Sequence, residues 1–100
     1  MHQRHATLTL PNADKVLYKL CKHYALKVPV EFNHERAHVP FPAGTCDIQR
    51  QGDTLHLQCA APSDEALARV LHIMDEHLAL MARNPELQIP WQSPSSDTAS

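Results

Sequence analysis

The spacing of apolar positions changes along the chain, and each change marks an element. Ala6-Thr7-Leu8-Thr9-Leu10 alternates apolar and threonine residues, which predicts a short strand. Pro11-Asn12 interrupts it and offers Asn12 as a helix N-cap. From Ala13 the period lengthens. At about 100° per residue, Ala13, Val16, Leu17, Leu20, Cys21 and Tyr24 gather on one side of a helix, with Lys15, Lys19 and Lys22 on the other. That helix is expected to end near Leu26, because Lys27-Val28 leads into Pro29 and residues before proline favour extended backbone.

Val28, Val30 and Phe32 alternate and predict a second strand. Asn33-His34-Glu35-Arg36 reads as a polar turn. Ala37 to Phe41 is a third extended piece, but Pro40 and Pro42 argue against a fully paired central strand. Gly44 opens a strand in which Cys46 and Ile48 share a face. Gln51-Gly52-Asp53 forms a hairpin loop, and Leu55, Leu57 and Cys59 share the inner face of the returning strand. Pro62-Ser63-Asp64-Glu65 is a helix start, with a serine cap and two acids in the first turn. Leu67, Val70, Leu71, Met74, Leu78 and Met81 form the core stripe of that helix, which Asn84-Pro85 ends. Leu87 to Trp91 alternates as a last strand, and the serine-rich stretch 92–100 reads as a disordered tail.

These elements predict a single α+β domain over residues 1–91, a two-layer sandwich of two helices packed on a mainly antiparallel sheet, in the order β-α-β-β-β-α-β. The parity of the elements places Leu17, Leu20, Phe32, Ile48, Leu57, Leu71, Met74 and Leu78 in one core.

Composition narrows the classes. One hundred residues, 43% of them apolar, suffice for one core and not for two domains. A formal charge of −2 supplies no basic field for nucleic acid. No stretch approaches the ~20 apolar residues of a membrane span. Met1-His2-Gln3-Arg4-His5 is not followed by the apolar segment of a secretory signal. Cys21, Cys46 and Cys59 are odd in number and contain no CxxC pair, which argues against a disulfide framework or a zinc ribbon. Free thiols without a signal peptide point to a reducing cytoplasm. The eight histidines would carry the charge from −2 to +6 if all were protonated, so charge should respond to pH between roughly 5 and 7.

Candidate chemistry is sparse. Cys46 follows the turn-like Phe41-Pro42-Ala43-Gly44-Thr45, where an open backbone could activate a nucleophilic or metal-binding thiol. Its strand parity with Ile48 instead marks it as a core position, as do the positions of Cys21 and Cys59. His23 and His77 border the apolar stripes of their helices and would approach each other if both helices lay on one sheet face. His34 with His38, and His72 with Glu76, are two-ligand pairs, too few to define a metal site. Lys15, Lys19, Lys22 and Lys27 give residues 12–30 a local charge of +3, with Asp14 the one acid, which suits an anionic ligand or acidic partner. Ile73 and Leu80 widen the apolar arc of the second helix and point to a homodimer contact. No HExxH, P-loop, GxSxG or Rossmann pattern occurs.

Three segments together resemble the bacterial domain-of-unknown-function family 2218: Leu20-Cys21-Lys22-His23-Tyr24 leading into Lys27-Val28-Pro29-Val30-Glu31-Phe32; Phe41 to Cys46; and His77-Leu78 followed by Arg83, Glu86-Leu87 and Trp91. The resemblance runs from about Thr7 to Trp91. It implies a small bacterial protein associated with siderophore-interacting and iron-uptake proteins, and it maps the family pattern onto Lys22, His23, Lys27, Gly44, Cys46, His77, Arg83 and Trp91. Leu26 stands where the family carries a second histidine, and Leu80-Met81 replaces an arginine-aromatic pair.

The expectation is therefore an accessory or binding domain without catalysis or cofactor of its own, whose partner is a siderophore-handling protein or a small anion. The alternatives are a thiol- or metal-dependent enzyme or metal carrier using Cys46 with His23 or His77, and a dimeric interaction module.

Overall fold

A computed structural model of the chain describes residues 2–92. The chain runs β1 (His2–Thr9), α1 (Ala13–Tyr24), β2 (Glu31–Phe32), β3 (Arg36–Pro40), β4 (Thr45–Gln51), β5 (Thr54–Ala61) and α2 (Asp64–Met81). The five strands form one antiparallel sheet in the order β1-β5-β4-β3-β2, with both helices on one side. Two helices over an antiparallel sheet is the α+β sandwich that the hydrophobic pattern predicts.

Period fixes what each element buries. Ala13, Val16, Leu17, Leu20, Cys21 and Tyr24 are the buried residues of α1, and Leu67, Val70, Met74 and Leu78 those of α2. The sheet meets them with Ala6, Val39, Cys46, Ile48, Leu55, Leu57, Cys59 and Ala61. Burial at this scale is the main favourable term in folding. Leu71 and Phe32 are corrections to the expected core. Leu71 is only partly buried, and Phe32 lies at the open edge of the sheet, 36% exposed.

Local signals decide the ends. Ser63 caps α2 as expected, its Oγ accepting from the Ala66 amide at 3.1 Å. Asn12 does not cap α1 with its side chain. It takes a left-handed conformation (φ 59°), and its carbonyl accepts from the Lys15 and Val16 amides. Asparagine tolerates that region better than most residues. The Asn33 side chain accepts from the amides of Glu35 and Arg36, tightening the β2–β3 turn.

Two strand expectations change and one holds. Val28 and Val30 lie outside β2, because the Lys27 and Val28 amides still bond the Tyr24 carbonyl at the end of α1. As its prolines predict, β3 is not fully paired: Ala37 and His38 pair on both sides, whereas Val39 and Pro40, the latter with no N–H to give, pair with β4 alone. Residues 87–91 form no strand; Ile89 joins the core, and backbone pairing with the sheet comes one residue later at Gln92, which exchanges two hydrogen bonds with His5. The order is accordingly β-α-β-β-β-β-α. The expected tail lies, apart from Gln92, outside the described residues. No helix among them is long and apolar enough to cross a membrane.

Candidate functional site

The end of α1 meets the middle of α2 at one corner of the helix layer. Tyr24 is buried, and its hydroxyl lies 3.2 Å from His77 Nδ1 and 3.5 Å from both the Ile73 carbonyl and Met74 Sδ. Phe41 packs edge-on against the Tyr24 ring, with centroids 5.0 Å apart. His23, one residue earlier on the helix, brings its ring to 4.7 Å from His77. The sequence placed both histidines on stripe borders, and the fold brings them together. Burial holds His77 below the ordinary histidine range, and the neighbouring His23 and Lys27 charges push it the same way, against Glu76. The Tyr24 phenol is raised far above its usual value, first by burial and then by the three cysteines around it. The corner is thus a half-buried pair of imidazoles with cationic neighbours, a setting that favours an incoming anion.

The other residues of the family pattern divide between this corner and structural duties. Lys22 is exposed, its Nζ 6.0 Å above the Tyr18 ring. Lys27 is also exposed and acts electrostatically on His77. Cys46 is fully buried opposite Cys59 on the β4–β5 ladder. A hydrogen bond with Cys59 and burial raise its thiol well above the ordinary value, the opposite of what an activated nucleophile needs. Gly44, just before β4, lies tight against the backbone of β5: a Cβ there would lie 2.3 Å from the Ala60 carbonyl oxygen.

Arg83 ends α2 in the left-handed region (φ 56°). Its amide bonds the Leu80 carbonyl, and the Asn84 amide reaches back to Ala79, which together make a Schellman cap. Its side chain borders a surface groove with His72, Asp75 and Glu76, which neither Lys22 nor His23 lines. Trp91 donates from Nε1 to Asp75 Oδ1 at 2.8 Å, pinning the final segment to α2.

The sequence reading missed the outer face of the sheet. The registers align His5, Gln58, Asp47, His38 and Glu31 in one rung across all five strands, beside a second rung of Thr7, His56, Gln49 and Arg36. These rungs floor a shallow trough of about 990 Å³. Neighbours satisfy one another within it: His38 Nδ1 lies 2.6 Å from Asp47, and His56 Nδ1 lies 3.0 Å from the Thr7 hydroxyl. The available signal was the second parity of each strand, which carries the polar residues. Among the described residues, no three His, Cys, Asp or Glu side chains converge as metal ligands would.

Fold and corner together define a small α+β domain with a helix-covered core and an open polar sheet face. The family model described as "Uncharacterized protein conserved in bacteria (DUF2218)" matches residues 5–92, and the chain belongs to that family. Among solved structures, the chain is similar to the NMR structure of PA4090 from Pseudomonas aeruginosa, with 27% identity and a TM-score of 0.77 over 92% of this chain and 96% of that one. No curated protein matches the chain.

Proposed function

We propose that the domain is a non-catalytic binding module that takes a small anion, or an acidic group of a partner, at the corner formed by Lys22, His23, Lys27 and His77. The observation that carries this reading is the 4.7 Å approach of the two imidazoles beside Lys27. Burial and the neighbouring His23 and Lys27 disfavour the protonated form of His77, and a bound carboxylate or phosphate relieves that penalty. Binding is therefore coupled to proton uptake and strengthens as pH falls. The exposed end of α1 supplies carbonyls rather than amides, so the side chains must provide the attraction. The burial of Cys46 speaks against the thiol-dependent alternative. The siderophore-handling partner implied by the family resemblance belongs to this proposal, since its ligands or surface would have to present acidic groups. Self-association through α2 is a second proposal, carried by Leu80 at 64% exposure, and sedimentation at several concentrations tests it.

Calorimetric titration with citrate and with inorganic phosphate at pH 6 and pH 8 tests the corner. The expected result is tighter binding at pH 6, weakened by about fivefold or more in Lys22→Ala, His23→Ala and Lys27→Ala while melting temperatures hold. Unchanged affinity in all three variants, or no uptake of either anion, overturns the reading.

A further inference from the structure

All four lysines of the chain, Lys15, Lys19, Lys22 and Lys27, lie on α1 and the turn after it. Since α1 buries Ala13, Val16, Leu17, Leu20, Cys21 and Tyr24, helical geometry turns Lys15, Lys19 and Lys22 away from the core. No ion pair engages any of the four among the described residues, and Asp14 is the one acid on the helix. Apolar surface stands beside this charge. Tyr18 is 54% exposed and meets the ring of Phe32 edge-on at 6.2 Å, which links α1 to β2.

β2 is the outermost strand of its side of the sheet. The Asn33 amide bonds the Arg36 carbonyl, so the alternation of an antiparallel ladder makes Phe32–Ala37 a pair without mutual hydrogen bonds. The Phe32 N–H and C=O consequently point outward from the sheet edge. A cationic ridge, an aromatic step and a free backbone pair thus follow one another from α1 to the edge of β2.

We infer that this surface docks an extended acidic segment of a partner protein. Carboxylates of the segment lie along Lys15, Lys19 and Lys22, an apolar side chain rests on Tyr18 and Phe32, and its backbone pairs with Phe32. Exposed ion pairs are individually weak, so the lysines set encounter rate and selectivity. The apolar anchor and strand pairing supply most of the hold. The arrangement favours a peptide over an anionic membrane. An interfacial helix lays its apolar face into lipid, whereas α1 has committed that face to the core. Lipid also has no backbone to pair with the Phe32 edge. The surface shares Lys22 with the His23–His77 corner, but Lys15, Tyr18, Lys19 and Phe32 lie outside it, so variants at those four test the surface without altering the corner.

The test is selection of short random peptides displayed on phage against the whole chain. Selected sequences are then measured by fluorescence anisotropy, beside vesicles of phosphatidylglycerol. The expected outcome is enrichment in Asp and Glu around an aromatic or aliphatic residue. Affinity should fall about fivefold or more in the Lys15→Gln/Lys19→Gln double variant and in Tyr18→Ser. It should weaken as salt rises and stay unchanged in His23→Ala. Amide signals of Phe32 should shift on binding. Selection without acidic enrichment, peptides indifferent to both variants, or vesicle binding that survives where peptides fail overturns the inference.

Discussion

The Tyr24 hydroxyl lies 3.2 Å from Nδ1 of His77, joining the last residue of α1 to the middle of α2. The same ring lies 4.7 Å from His23, so protonating His77 adds charge to a half-buried place already near another imidazole. Burial, then His23 and Lys27, hold its pKa below the ordinary 6.5.

A histidine lowered in the native state stabilises the fold above its unfolded pKa and loses that contribution as pH falls towards the native value. The melting temperature should therefore drop from pH 7.5 to pH 5.5. His77→Gln should show a smaller drop than the parent, the difference between the two isolating this ring from the other seven histidines. An NMR titration of the His77 ring with a midpoint at or above 6.5 would contradict the assignment.

Cys46 should resist iodoacetamide in the native protein at neutral pH, because it is 0% exposed and its thiol is raised by Cys59 and by burial. Cys21 should resist as well, burial pushing it up to about 11. Mass spectrometry should find all three thiols modified only after denaturation. Rapid native labelling of Cys46 alone would reinstate thiol chemistry.

Gly44→Ala should destabilise the fold by about 1–3 kcal/mol, the usual cost of overpacking. The added methyl would meet the Ala60 carbonyl and the Ala61 Cβ at 2.3 and 2.9 Å, and strand backbone has little room to retreat. Urea unfolding measures it, and a change below about 0.5 kcal/mol would mean that the strand yields.

Arg83→Gly should stabilise the protein by up to about 1 kcal/mol, since glycine takes the left-handed C-cap position without the Cβ penalty. A lower melting temperature would show instead that the arginine side chain holds the groove beside Glu76.

Within each element the sequence was a good guide. The stripe from Ala13 to Tyr24 and the alternation of Leu55, Leu57 and Cys59 each follow from one local period, and each appears as predicted. Relations between distant elements were not legible. The rung from His5 to Glu31 depends on four registers at once, and no single strand records them. Pro40 was legible: it ends β3, where the strand pairs with β4 and no longer with β2. Leu87 to Trp91 alternates like a strand, but its alternation serves to bury Ile89 and aim Trp91 at Asp75. At the corner, His23 and His77 were recognisable singly, while the Tyr24 hydroxyl between the helices was not.

The pairing of β1 with β5 also has a consequence in time. The β3–β4–β5 meander joins residues close in sequence, whereas β1 must find a partner as far away as His2 and Ala61. Closing that long loop costs chain entropy before any β1 contact repays it. The meander should therefore assemble first, with β1 arriving after the rate-limiting barrier. Weakening β1 by Ala6→Gly should speed unfolding while leaving refolding nearly unchanged, and Ile48→Val within the meander should slow refolding. Stopped-flow chevrons distinguish the two limbs. If both substitutions slow refolding equally, the N-terminal strand is already in place at the barrier.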